Sequence, residues 1–139
     1  MKNLIGIALL LVFGGVLAGQ TPTRNNPNGI WESATGTRYS LQLNGTNLEV
    51  KLVEGSNPSF LQYELTLQND KDELNTYKGK GFFRAKLKSG KGCRFETEWT
   101  IVVILDTMIV GNSPDFRDID QVTCKAKETQ AVRIDLRKK

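Results

Sequence analysis

Arg38-Tyr39-Ser40-Leu41-Gln42-Leu43-Asn44-Gly45-Thr46-Asn47-Leu48-Glu49-Val50-Lys51 holds the pattern that decides the fold class. Apolar and polar residues alternate on both sides of Asn44-Gly45. A period of two belongs to a strand with one face on a core. Asn-Gly suits a two-residue type I′ turn, in which both central positions take positive φ. With Leu43 opposite Thr46, Leu41 faces Leu48 and Tyr39 faces Val50, all on one side. Arg38, Ser40, Gln42, Glu49 and Lys51 fall on the other. One turn explains the whole alternation, so the stretch predicts an antiparallel hairpin. Asn44-Gly45-Thr46 also fits an N-glycosylation acceptor in a eukaryotic host, although the turn already accounts for these residues.

The same period continues along the chain. Tyr77, Gly79, Gly81, Phe83, Ala85 and Leu87 share one face of a second hairpin strand. Lys78, Lys80, Arg84, Lys86 and Lys88 share the other, broken only by Phe82. After a loop at Ser89-Gly90-Lys91, the returning strand carries Cys93, Phe95, Thr97, Trp99, Ile101 and Val103 inward. A three-residue loop pairs Leu87 with Cys93, Ala85 with Phe95 and Gly81 with Trp99. Inward glycines on a long strand predict sharp bending, as at a barrel corner. Asp106-Thr107 marks a third tight turn, between Ile101–Leu105 and Met108–Gly111. Phe60 to Leu67 and Val132 to Arg137 alternate as two further strands.

No stretch has a convincing helical period, and Asp115 to Val122 could form at most one short turn. The expected fold is all-β: a small antiparallel meander barrel of about eight strands, since closure removes exposed edges. A two-sheet sandwich is the competing arrangement. Successive hairpins favour the meander.

Met1-Lys2-Asn3, the uncharged run Leu4 to Leu17 and the small residues Ala18-Gly19 have the layout of a secretory signal peptide. Residues 1–19 are therefore read as a leader, 20–28 as a flexible N-terminal segment and 29–139 as one β-barrel domain. The apolar run is short for a membrane span and has no stop-transfer cluster, so no membrane attachment is expected after cleavage. The expected location is secreted or periplasmic.

Composition narrows the chemistry. The chain has 19 basic and 15 acidic residues, a mild excess that does not point to nucleic acid. It has no histidine, which excludes Ser-His-Asp and Cys-His catalysis and histidine metal ligation. Its two cysteines, Cys93 and Cys124, read as a disulfide in an oxidising compartment. Asp115, Asp118 and Asp120 do not have calcium-loop spacing. Glu96 and Glu98 share a strand face without any sign of burial. No metal, cofactor or catalytic residue is expected.

Gly29-Ile30-Trp31, followed by Gly36-Thr37, resembles the opening strand of calycin-type β-barrels. Lipocalin-like proteins begin with Gly-x-Trp, and avidin-like proteins add Gly-Ser/Thr five and six positions after the tryptophan. Arg94-Phe95-Glu96-Thr97-Glu98-Trp99 resembles the Arg-x-x-Thr-x-Trp strand of avidin-like proteins, and Ile109-Val110-Gly111 the strand after it. The resemblance implies that Ser33, Thr37, Thr97 and Trp99 face a small ligand. Two further tryptophans of the avidin-like pocket have no counterpart, which argues against biotin. The lipocalin pattern would place Arg133 against the first tryptophan.

Trp31, Ser33, Thr37, Thr97 and Trp99 are thus the candidate ligand residues, with core packing the plainer reading of both tryptophans. Lys78 to Arg94 holds seven basic residues and no acidic one. Lys78, Lys80, Arg84, Lys86 and Lys88 make a candidate face for an anionic partner, with a solvated, aggregation-resistant face as the plainer reading. The apolar strand near Val102 and Ile104 offers an oligomer contact. The leading expectation is a non-enzymatic binding protein, holding a small molecule in a barrel mouth or an anionic partner on the basic face. The alternative is a protein–protein interaction module, inhibitor or immunity-type, using loops and the basic face.

Overall fold

The computed structural model describes residues 23–139, so the leader and residues 20–22 lie outside the described residues. Eight strands follow in order: β1 Gly29–Ser33, β2 Arg38–Asn44, β3 Asn47–Glu54, β4 Phe60–Asn69, β5 Thr76–Lys86, β6 Gly92–Leu105, β7 Met108–Ile119 and β8 Ala126–Lys138. Each pairs with the next, and β1 pairs antiparallel with β8, so the meander closes into a barrel compatible with a calycin-like one. The sandwich alternative is thereby excluded. Glu32 helps to close the β1–β8 seam, accepting from Arg38 Nε at 2.7 Å and lying 3.1 Å from Lys139 Nζ.

Both long hairpins differ from expectation by the same step. Asn44 pairs with Asn47, Leu43 with Leu48 and Leu41 with Val50, so the central turn residues are Gly45-Thr46. Gly45 takes φ of +64° and Thr46 does not take positive φ, which fits a type II′ turn rather than the type I′ expected of Asn44-Gly45. Likewise Ala85 pairs with Cys93, Phe83 with Phe95 and Gly79, not Gly81, with Trp99. Each slip moves the pairing by two residues. The pleat has period two, so every side chain keeps its predicted face.

Close approach of the β4 backbone accounts for the two inward glycines expected to mark a bend. A Cβ on Gly79 would stand 2.0 Å from the Thr66 carbonyl oxygen, and one on Gly81 2.0 Å from that of Glu64. The β4 backbone crosses β5 too closely for any side chain at either position.

Trp31, Tyr77, Leu48, Val50, Leu67, Ile101 and Ile109 are fully buried in one half of the barrel. Residues 23–28, expected to be flexible, strap that end instead. Asn25 Nδ2 donates to the carbonyls of Val103 (2.8 Å) and Ile104 (2.9 Å). Asn26 N donates to Asp106 Oδ1 at 2.7 Å. Pro27 is buried, and its carbonyl accepts from the Trp31 indole N–H at 2.7 Å. Lys138, not Arg133, is the cation over the Trp31 ring, at 5.6 Å.

β6 and β7 separate part-way. Their pairing runs from Leu105–Met108 to Thr100–Asn112 and goes no further. Beyond it, β7 pairs only with β8, out to Ile119–Ala126. Asp115–Ile119, expected as part of a short helical turn, is therefore strand. The single turn lies later, where Cys124 N donates to Asp120 O at 3.0 Å. Asp120 Oδ1 caps it by accepting from the amides of Val122 and Thr123, both at 2.8 Å, and these bonds hold the carboxyl below its usual range. The Cys93–Cys124 disulfide, with Cα atoms 5.7 Å apart, ties this turn to the start of β6.

Candidate functional site

The end opposite the strap is open. A cavity of about 280 Å³ lies there, reached past the β1–β2 turn. Its floor is aromatic, formed by Tyr39, Tyr63 and Trp99, with Phe60 on its wall. Ser33, Thr35, Thr37 and Ser113 bring hydroxyls to it, and Arg133 and Asp135 border it from β8, where they alternate with the buried Ile134 and Leu136 and pair with each other on the outer face.

The local sequence fixes the β1–β2 rim. Gly36 takes φ of +93°, letting the chain turn back within four residues. Ser33 N donates to Thr37 O at 2.9 Å, and Thr37 N to Ser33 Oγ at 3.1 Å. Thr37 Oγ1 accepts from Ser56 N at 3.2 Å, which pins the rim to the β3–β4 loop. The Thr37 hydroxyl therefore has a structural bond even where it borders the cavity.

The aromatic floor is a packed set. Tyr39 meets Trp99 edge-on at 5.2 Å and Tyr63 edge-on at 5.6 Å. Tyr63 stacks on Phe83 at 5.2 Å, and Phe83 on Phe95 at 4.9 Å. The Trp99 indole N–H donates to Tyr63 Oη at 3.3 Å. Burial raises the phenol pKa of Tyr39, with the neighbouring Tyr63 adding to it. Burial also raises that of Tyr63, with the hydrogen bond from Trp99 opposing. Both stay neutral at ordinary pH and can offer O–H donors. The floor is thus uncharged, suited to a ring or alkyl group carrying hydrogen-bond acceptors.

Three of the five sequence candidates, Ser33, Thr37 and Trp99, line this cavity. Trp31 does not, because it lies fully buried beneath Pro27 at the strapped end. Thr97 is 5% exposed and its Oγ1 has no hydrogen-bond partner among the described residues; it borders a separate groove with Pro114 and Phe116, where β6 and β7 part. Tyr39, Phe60 and Tyr63 were not singled out from sequence. The inward alternation of Tyr39 and Tyr63 was legible, but nothing in it separates core from cavity lining, and Phe60 falls by alternation on the face of Gln62 and Glu64, from which the register shift between Phe60 and Gln62 displaces it.

The basic candidates are all exposed on the outer face of β5 and the turn after it. Among the described residues, Lys78, Lys80, Arg84, Lys86 and Lys88 have no salt-bridge partner within 4.0 Å. Arg94, opposite Arg84, lays its guanidinium 3.8 Å above the Phe82 ring and bonds Glu96 at 3.1 Å. At the possible oligomer contact, Val102 is half-buried and Ile104 is 44% exposed, beside the Asn25 strap. No protein-family model, curated protein or solved structure matches the chain.

Proposed function

We propose that this chain is an exported, non-enzymatic binding protein that holds one small molecule in its barrel mouth. The observation that carries the reading is the cavity of about 280 Å³ between the β1–β2 rim and the aromatic floor of Tyr39, Tyr63 and Trp99. That volume lies at the lower end of small-molecule sites, so the ligand is compact. Neutral phenols and rim hydroxyls favour a ring with carbonyl, ether or hydroxyl groups over a multiply charged molecule. Placement of Ser33, Thr37 and Trp99 around one cavity agrees with an avidin-like or lipocalin-like use of the barrel. The disulfide fits an oxidising compartment, in keeping with the leader-like first nineteen residues.

Native mass spectrometry of the protein secreted by its own host tests this reading. A retained small molecule supports it, and a bare chain or a bound partner protein overturns it. Tryptophan fluorescence locates the site. Trp99→Phe is expected to abolish the response to the recovered molecule, while Trp31→Phe preserves it.

A further inference from the structure

The outer face of β5 supports a second binding surface, independent of the mouth. Lys78, Lys80, Arg84 and Lys86 lie at alternate positions, with Phe82 in the one gap, and Lys88 follows in the turn. Alternate residues of a strand are spaced about 6.6–6.8 Å apart, so Lys78 to Lys86 spans about 27 Å. The gap at Phe82 is filled from the next strand, because Arg94 places its guanidinium 3.8 Å above that ring. The cations therefore form one unbroken file.

The file is narrow. Phe82 has Glu64 and Glu96 as its cross-strand neighbours, and Lys80 has Thr66 and Glu98. Arg84 has Gln62 and Arg94, Lys78 has Gln68 and Thr100, and Lys86 has Gly92, so none of these three faces an acidic residue across the strand. Arg84 stands opposite Arg94, whose charge Glu96 already meets at 3.1 Å, so among the described residues Arg84 is the one of the two left without an anion. A broad acidic protein surface laid over β5 would press on Glu64, Glu96 and Glu98. A thin chain of anions follows the file and avoids them. Single-stranded nucleic acid would gain little, because the one aromatic residue in the file, Phe82, already has a ring face taken by the Arg94 guanidinium.

We infer that this file is a docking track for a linear anionic polysaccharide, bearing sulfate or carboxylate groups at about the spacing of the cations. The complementarity is that of charge along a line, and the partner needs no pocket.

Heparin serves as the probe, with the full exported chain in 150 mM salt. Arg84→Ser, Lys86→Ser and Lys88→Ser made together are compared with Lys71→Ser, Lys127→Ser and Lys139→Ser, exposed lysines of the β4–β5 loop, the start of β8 and the residue after β8. Both triples lose the same charge. The track triple is expected to weaken binding at least tenfold and to lower the slope of log affinity against log salt by about two, at roughly 0.7 per contact as for a single-stranded polyanion. The control triple should stay within about twofold of the parent. Equal losses in the two triples, or no binding by the parent, overturn the inference. So does equally tight binding of a single-stranded oligonucleotide of matched charge. A measurement on the unaltered protein does not depend on any variant folding. Heparin should protect Lys78, Lys80, Lys86 and Lys88 from acetylation and leave Lys71, Lys127 and Lys139 reactive; uniform protection refutes the track.

Discussion

Phe116 of β7 stacks on Phe95 of β6 with ring centroids 5.4 Å apart, although the pairing of those strands has already ended at Thr100–Asn112. Phe116 shares a strand face with Pro114, not with the inward-facing Ile109 and Ser113. A two-stranded ribbon twists more than a wide sheet, so once free of β6 the β7–β8 ribbon can turn its other face toward the barrel. Phe116 also lies 5.6 Å from Phe83. The ribbon is thus docked by ring contacts and a disulfide in place of a backbone ladder.

Phe116→Ala should detach that ribbon at modest cost. The ring is half-buried, so the loss is expected to be about 2 kcal/mol, below the usual range for a fully buried phenylalanine. Urea denaturation measures it, and amide exchange should speed up at Asp115–Ile119 while Leu48 and Ile101 stay protected. Uniform exchange throughout the barrel would show the ribbon to be integral to the whole fold.

Replacing Cys93 and Cys124 together by serine acts on the same ribbon through the unfolded chain. The disulfide joins residues 31 apart, for which the chain-entropy relation gives about 3–4 kcal/mol. Thermal unfolding should shift down accordingly, with the far-ultraviolet circular dichroism of the strands retained at low temperature. A variant as stable as the parent would contradict the expected contribution.

Gly79→Ala and Gly92→Ala make a paired test of backbone crowding. A methyl at 79 would meet the Thr66 carbonyl at 2.0 Å, whereas one at 92 has nothing within 4 Å. Gly79→Ala should cost more than about 3 kcal/mol because β4 and β5 must move apart, and Gly92→Ala should be close to neutral. Similar midpoints in chemical denaturation would refute the close approach of β4 and β5.

The three tyrosines of the chain give a pH signature. Burial raises the phenol pKa at Tyr39, Tyr63 and Tyr77 above the ordinary 10.0, with Arg24 opposing at Tyr77. A phenol whose pKa is higher in the folded state leaves stability intact below the unfolded value. It removes stability as pH climbs beyond that value. Native protein at pH 10.5 should therefore show less tyrosinate absorbance at 295 nm than denatured protein, which titrates near 10. The alkaline limb of the stability curve should fall from about pH 10 upward. A native titration centred near 10 would contradict the burial of these rings.

Face assignment was legible in the sequence because the period of two survives an error of two in pairing. Leu41, Leu48, Val50, Phe95 and Trp99 all point where the alternation put them. Register was less legible, since Asn44-Gly45-Thr46 can place either Asn44-Gly45 or Gly45-Thr46 at the centre of a tight turn. Two other features left no local pattern. Asn25 and Asn26 have the composition of a linker, yet their side chains and amides bond groups about eighty positions away. Phe116 falls on the solvent side of a simple alternation, and only the twist of the free ribbon brings it inward. Trp31 and Trp99 have similar strand contexts, but the strap buries one and the mouth exposes the other to the cavity. That difference depends on which end of the barrel is covered.

The strap also settles how the molecule can be held. Asn26 N bonds Asp106 Oδ1, and Lys138 N bonds the Thr107 carbonyl, so the incoming and outgoing chain meet at one β6–β7 turn. A tether, carrier domain or sensor surface joined at either end of the barrel sequence would grip the plugged base and leave the rim at Ser33 and Thr37 pointing outward, unobstructed for exchange with solvent.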